Sequence, residues 1–452
     1  AVEYYYQALG VAPADKKRGL RFRLAELLLE LQRFTAAEEE AREILEKDPD
    51  DREGNRLLAM ALYGLSRGGS LGGGRDSALV GEVLEKARKL NPADVPLAVI
   101  LADVYRNQPE LVGRESQALS EEERKLLADE VIDQMVAAQP KDAQALLARH
   151  RYRLRYHQAE SKPDLAEAIQ ANPDDLEVLL QAAAEARIAA ESLRREGGPA
   201  EEVDKLFADA KKHYRRAIEI SPTTEQAYLG LADLCAGTGE TDAAVETLRS
   251  GLEEAGQDNF NLNALLAELL MNQGKLDEAD KTITALERLA ERIAPVQPQP
   301  VKLALKHAID SLRGRWLASS GRYVEAVGTL RRVAAGPQNS APEAARTMQA
   351  RLWLGRSYAA LGQWDQAAIA FEQASELNPR AIGPLVEAAA AWTAADRLDA
   401  AEQRYGQALE LRTSSQVRLA LARVLLLKQL RLPIESRDWG PLEKALAEAK
   451  KP

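Results

Sequence analysis

Residues Met348–Ala381 read MQARLWLGRSYAALGQWDQAAIAFEQASELNPRA, and this stretch decides the fold. Within a 34-residue period, Leu354-Gly355, Tyr358, Gly362, Trp364, Ala367, Phe371, Ala374 and Pro379 fall at positions 7–8, 11, 15, 17, 20, 24, 27 and 32. Apolar residues three and four apart on either side of Gly362 predict two amphipathic helices joined by a tight turn. Small residues at positions 8 and 20 let the two helices touch. Large ones at 7, 11, 17 and 24 fill the space between them and toward the next pair. Glycine at 15 permits the turn, and proline at 32 stops the second helix.

The pattern recurs along the chain. Ile382–Ser415 places Trp392, Leu398, Ala401, Tyr405 and Ala408 in the same slots. Glu225–Asp258 contributes Leu231-Ala232, Gly239, Ala244, Leu248 and Gly251. Phe260–Ile293 contributes Leu266-Ala267, Gly274, Leu276, Ala279 and Ile283. His307–Ser340 contributes Gly314, Gly321, Tyr323, Ala326 and Leu330, and Arg18–Asp51 contributes Leu24-Ala25, Phe34, Ala37 and Pro49. These residues at these spacings resemble the tetratricopeptide repeat (TPR) family. The resemblance implies an all-α fold, a right-handed α-solenoid superhelix of about eleven helix-turn-helix repeats. In such an array each repeat buries its face only against its neighbours.

Between residues 52 and 222 the period stretches. The stop prolines Pro49, Pro92, Pro140, Pro173 and Pro222 are 43, 48, 33 and 49 residues apart. The excess is expected in insertions at 66–77 (Gly-rich), 107–120 (polar) and 194–202 (around Gly197-Gly198-Pro199), each projecting from the array. Ser120-Glu121-Glu122-Glu123 reads as a capping box that starts the next helix. The proline-rich stretch 295–300 reads as a stiff linker, dividing an N-terminal array, 1–294, from a C-terminal one, 301–452. Gly336–Pro342 is a second linker-like break. Residues 1–15 read as the second helix of a repeat whose first helix is missing, so the chain is expected to be a fragment of a longer one. Ser415–Leu432 with Pro433–Lys451 reads as a closing helix pair.

Composition narrows the function. Hydrophobic residues make up 46% of the 452, enough for a sizeable core, and aromatics only 5%. Leu and Ala carry most of the apolar content, which favours helix. The formal net charge of −10 argues against nucleic acid as the main partner. From residue 301 onward there are 22 Lys+Arg and 15 Asp+Glu, so the acidity lies in the first two thirds. A single cysteine, Cys235, allows no intramolecular disulfide and fits a reducing, cytoplasmic setting. No stretch of 18 apolar residues is present, so no membrane insertion is expected.

No catalytic, cofactor-binding or metal-ligating constellation stands out, and the chain is expected not to be an enzyme. His150 and His157, seven apart on one helix, are separated by roughly 10 Å along its axis, too far to share a metal ion; both read as partly exposed helix residues. Cys235 occupies a core slot and reads as a small buried hydrophobe. Gly68–Arg75 lacks the Gly-Lys-Ser/Thr ending and the preceding strand of a phosphate loop. The acidic runs Glu38–Glu40 and Glu121–Glu123 read as helix starts or solvated faces.

Binding residues follow from the family resemblance, which implies that the first helix of each pair (helix A) lines a groove, with positions 2, 5, 9 and 12 facing it. Position 9 is Glu26, Asp103, Asp233 and Glu268 in earlier repeats and Arg315, Arg356 and Arg423 in later ones, with Ala390 intervening and Arg149 breaking the pattern. The candidate groove residues are therefore Arg315, Arg356, Arg423, Asp233 and Glu268. The late groove suits acidic peptides or a terminal carboxylate, and the early groove a basic partner. The Lys and Asn set of a chaperone-tail clamp is absent, since Asn261 is followed by Ala264 and Glu268. The expected function is a protein–protein interaction scaffold that takes partner peptides or helices in its groove. The alternatives are the substrate-recruiting or regulatory region of a larger enzyme, and a self-assembly module forming a homo-oligomer.

Overall fold

The computed structural model describes residues 1–67, 77–157, 161–336 and 340–450. It divides into two compact units, Ala1–Ile220 and Ser221–Pro452. The first unit runs α1 (Val2–Val11), α2 (Ala14–Glu30), α3 (Phe34–Leu45), α4 (Arg52–Arg67), α5 (Ala78–Leu90), α6 (Val95–Asn107), α7 (Arg114–Gln117), α8 (Glu121–Ala138), α9 (Ala143–Tyr156), α10 (Lys162–Ala171), α11 (Leu176–Arg195) and α12 (Ala200–Ile220). The second runs α13 (Glu225–Gly237), α14 (Thr241–Ala255), α15 (Phe260–Asn272), α16 (Leu276–Ile293), α17 (Gln299–Ser319), α18 (Tyr323–Ala334), α19 (Ala341–Ala360), α20 (Trp364–Leu377), α21 (Ile382–Ala394), α22 (Leu398–Leu411), α23 (Ser415–Leu430) and α24 (Gly440–Ala449). Among the described residues there is no strand. Within each unit every long helix packs on the next, and the A helices also touch one another, as α13 on α15, α15 on α17 and α17 on α19.

The pairing follows from small-on-large contacts. A Cβ on Gly355 would sit 2.6 Å from the Phe371 ring, and one on Gly314 would sit 2.6 Å from Leu330. Only hydrogen at these positions lets helix A lie against helix B. The turn at Gly362 has φ +72°, and in the equivalent slots Gln32 (φ 56°) and Asp396 (φ 66°) hold the same left-handed conformation without being glycine.

The irregular segments differ from expectation. Residues 107–120 do not project. They form a 3-10 turn, Pro109–Leu111, and the short helix α7, with Leu111 and Val112 buried. The segment lies so close on α5 that a Cβ on Gly81 would be 2.2 Å from the Gly113 nitrogen. The excess length at 194–202 is not a loop either. It goes into α11 and α12, which are 20 and 21 residues long, and the Gly197 turn (φ +78°) is short. Most of the 66–77 insertion lies outside the described residues, as does part of Gly336–Pro342. The boundary between the units falls at 220/221, whereas residues 295–300 form the 3-10 turn Ala294–Val296 and the first residues of α17. Ser120 caps α8 through its hydroxyl, and Glu123 closes the capping box by accepting the Ser120 N–H at 2.8 Å. Cys235 is buried, as its core slot implies.

The two units hold their cores differently. Among the described residues, the buried charged side chains Glu38, Glu40, Asp51, His150 and Asp164 all lie in the first unit. Glu38 and Glu40 are thus not on a solvated face. They pair with Arg42 at 2.8 Å and Arg21 at 2.7 Å. His150, 0% exposed, is likewise not a surface residue. Its Nδ1 donates to the Ser161 carbonyl at 2.8 Å and its Nε2 meets the Glu185 carboxylate, joining α9, the start of α10 and α11. A carbonyl and a carboxylate are both acceptors, so the imidazolium with two N–H donors satisfies both. Burial alone would lower the His150 pKa, but Glu185 and the Ser161 carbonyl outweigh it and the net shift is upward. Beside it, the buried Asp164 carboxylate accepts from Arg149 at 2.7 Å and Arg153 at 3.1 Å.

Candidate functional site

In the second unit, position 9 of successive A helices builds a polar line. Asp233 on α13, Glu268 on α15, Arg356 on α19 and Arg423 on α23 stand exposed, Arg315 on α17 is half-buried, and Ala390 fills the slot on α21. Three of them come together. Arg315 and Arg356 both stack on Trp353, with guanidinium carbons 5.3 and 5.0 Å from the ring centroid. Cation–π contact of this kind fixes the two side chains in place. Arg315 Nη2 donates to Asn272 Oδ1 at 2.5 Å, while its Nε, buried, has no acceptor among the described residues. Arg356 forks onto Glu387, with Nη2 at 2.5 Å and Nε at 3.2 Å from Oε1.

The electrostatics of this cluster are unbalanced. Burial lowers the Arg315 pKa, Glu268 offsets part of that, and Arg356 lowers it further. Glu268 is solvent-accessible, yet protein crowds it in the concavity. That crowding pushes its pKa up although Arg315 and Arg346 pull it down. The charged form of Arg315 is therefore under-compensated, and an added anion would relieve it. Next to Arg356 a cavity of about 310 Å³ is lined by Trp364, Phe371, Val386 and Ala390, so an apolar site adjoins the cationic one. Asp233 and Arg423 lie at the two ends of the line and do not join the cluster. Arg423 is exposed, near Tyr405, and carries no ion pair among the described residues. Sequence reasoning passed over Trp353, Asn272 and Glu387. Trp353 sits at position 6, beside the nominated groove slots, and its only signal is a large aromatic between two arginine-bearing turns.

The first unit holds a larger cavity, about 1010 Å³, between α4, α6 and α9. Tyr63, Tyr152 and Tyr156 form its aromatic part and Met60, Val95, Val99 and Ile100 its aliphatic part. Its charged lining is Arg67, Arg151, Arg155 and Asp103. Asp103 is thus where position 9 places it, but three arginines from other helical positions surround the same space. Behind the aromatic part lies Arg106, its side chain 9% exposed. It is 4.3 Å from the Tyr156 ring centroid and donates through Nε to Tyr152 Oη at 2.5 Å. Tyr152 in turn donates to Asp129 at 2.5 Å, and Asn107 donates to Tyr156 Oη at 2.9 Å. Among the described residues no group of three or more His, Cys, Asp and Glu side chains could hold a metal ion, and no helix is long and apolar enough to cross a membrane.

Paired helices stacked in series with a residue line along the A helices define an α-solenoid repeat protein. Family comparison agrees: tetratricopeptide repeat profiles match residues 1–61 and 204–259, and a second such profile matches 349–381. The chain thus contains tetratricopeptide repeats in both units, a fold that generally mediates protein–protein interactions. Among solved structures it is similar to the human IFIT1 dimer with PPP-AAAA (18% identity, 80% of this chain, 73% of that chain, TM-score 0.43). It is also similar to yeast Tom70 (12%, 98%, 94%, 0.43) and to the Cut9–Hcn1 hetero-tetramer of the APC/C (15%, 94%, 93%, 0.39). No curated protein gives a significant match.

Proposed function

We propose that this chain is a scaffold that holds partner proteins on its A-helix faces, and that in the second unit the working surface runs along Asp233, Glu268, Arg315, Arg356 and Arg423. The partner is an extended segment with an acidic group over Arg315 and Arg356, and an apolar side chain enters the adjoining cavity. The observation that carries this reading is the pair of arginines on Trp353, one of them half-buried, under-compensated and short of an acceptor at its buried Nε. A planar guanidinium held in place by an aromatic ring offers donors to a carboxylate at little further cost in side-chain entropy.

The test is capture of partners from lysate on the native chain and on an Arg315→Glu/Arg356→Glu variant whose helicity is verified by circular dichroism. Captured partners should bind the variant at least about tenfold more weakly. Equal capture by both would reject the arginine surface as the working site.

A further inference from the structure

We infer that the cavity of the first unit is a small-molecule site, for an uncharged ligand that is mostly hydrocarbon. Such a ligand lies outside the protein scaffold proposed above. The inference does not depend on that reading, since it rests on the walls of this cavity and the side chains that brace them.

The polar groups of the cavity already meet one another. Arg151 donates to Glu177 at 3.0 Å, and Arg155 lies 4.0 Å from Asp103, which also accepts from Asn107 and Gln108 at 2.6 and 2.7 Å. Gln144 donates to both Asp175 oxygens, at 2.9 and 3.0 Å. The Tyr152 hydroxyl accepts from Arg106 and donates to Asp129, while Asn107 and Gln108 hold the Tyr156 and Tyr63 hydroxyls at 2.9 and 3.2 Å. Arg67, at the end of α4, is exposed to solvent. What the cavity offers a ligand is therefore its apolar wall: Met60, Val95, Val99 and Ile100 with the tyrosine rings. Covering that wall removes apolar surface from water without disturbing a polar bond. The space, about 1010 Å³, lies at the upper end of ligand-pocket sizes. Its aromatic side is also set in advance, because Tyr152 is held at its hydroxyl from both directions and its ring lies 5.0 Å from that of Tyr156.

The same bonding disfavours polymers. A peptide brings an N–H and a C=O at nearly every residue, and each needs a partner when buried. Here the side chains that would supply partners, Gln144, Asn107 and Gln108, are bonded to one another's neighbours. A carboxylate or phosphate would have to take Arg151 from Glu177 or Arg155 from Asp103. An uncharged hydrocarbon makes neither demand.

The experiment titrates the full chain with Nile red, an uncharged apolar dye that fluoresces when removed from water. The variants are Val99→Asp in the wall, Arg155→Gln at the rim and Val324→Asp as a control on α18. Val99 and Val324 are 42% and 73% exposed, so both changes fall on surface positions, and circular dichroism melts verify folding. The dye should bind saturably, one molecule per chain, and about tenfold more weakly to Val99→Asp. Binding should be unchanged in Arg155→Gln, in Val324→Asp, in Arg315→Glu/Arg356→Glu and between about 50 and about 500 mM salt. Non-saturable binding, equal binding to Val99→Asp, or an equal loss on Val324→Asp would overturn the inference as mere adsorption to exposed apolar residues. Loss on Arg155→Gln or at high salt would overturn it in favour of a charged ligand, and loss on Arg315→Glu/Arg356→Glu would move the site to the second unit.

Discussion

The first unit, where the repeat spacing wanders, adds buried charges to a glycine-on-phenylalanine fit that both units share, Gly64 on Phe34 in the first and Gly355 on Phe371 in the second. The difference shows two ways of fixing a helix pair. A regular repeat reuses one apolar fit. An irregular one needs contacts that specify a particular arrangement, and a fully bonded polar cluster does so because its alternatives leave buried groups unpaired. The grooves differ in the same sense. In the first unit's cavity Arg151 and Arg155 meet Glu177 and Asp103, whereas in the second unit Arg356 is met by Glu387 and Arg315 keeps an Nε without an acceptor among the described residues.

The strongest way to break this comparison is at His150. His150→Ala leaves the Ser161 carbonyl without its donor and Glu185 with Gln181 alone, and should cost the first unit about 3 kcal/mol. Hydrogen exchange by mass spectrometry should speed up in peptides covering 143–171 and remain unchanged in peptides covering 341–377. The same residue makes the first unit pH-sensitive. Its folded pKa is raised above 6.5, so its stabilisation is complete below 6.5 and is lost as pH rises through the folded value. Glu185 is lowered below 4.5 in spite of its burial, through His150 and Gln181, and its contribution is lost only as pH falls through that lower value. Protection of 143–171 should therefore decline on the alkaline side of 6.5, and the decline should vanish in His150→Gln.

Next in size is Gly355→Ala. The new methyl group would press on the Phe371 ring, and the α19–α20 pair should lose about 2 kcal/mol by denaturant titration. Removal of the counter-charge sharpens the groove comparison. Glu387→Gln leaves Arg356 unneutralised, so a partner whose capture depends on Arg315 and Arg356 should bind about threefold more tightly. The smallest effect on stability is expected at Gln32. Gln32→Gly removes the steric cost of a left-handed residue and should stabilise the α2–α3 turn by about 1 kcal/mol.

Legibility in the sequence followed the same division. The helix pairs were readable because identity and spacing repeat, as in the matched series ending Pro379 and beginning again at Ile382. The His150–Glu185 contact spans 35 residues with no period to announce it. The docking of 107–120 depends on two glycine backbones meeting at Gly81 and Gly113, and backbone contact leaves no mark in side-chain patterning. Gly197-Gly198-Pro199 marks a turn correctly, but nothing in it says that the flanking helices run 20 and 21 residues. At the candidate site, counting position 9 nominated Glu268, Arg315 and Arg356, which lie near one another in the structure. It missed Trp353, which organises the two arginines, and Tyr152, Tyr156 and Arg155, which occupy other slots of α9.

Within each unit, each helix pair packs mainly on the pairs next to it in the sequence. Contacts this local require little loop closure, so they form quickly. During synthesis, a pair leaving the ribosome finds its docking surface already made by the pair before it. Within each unit the array can therefore grow like a zipper, each pair docking on the one before it without waiting for a distant segment, and a stalled chain would already carry finished repeats.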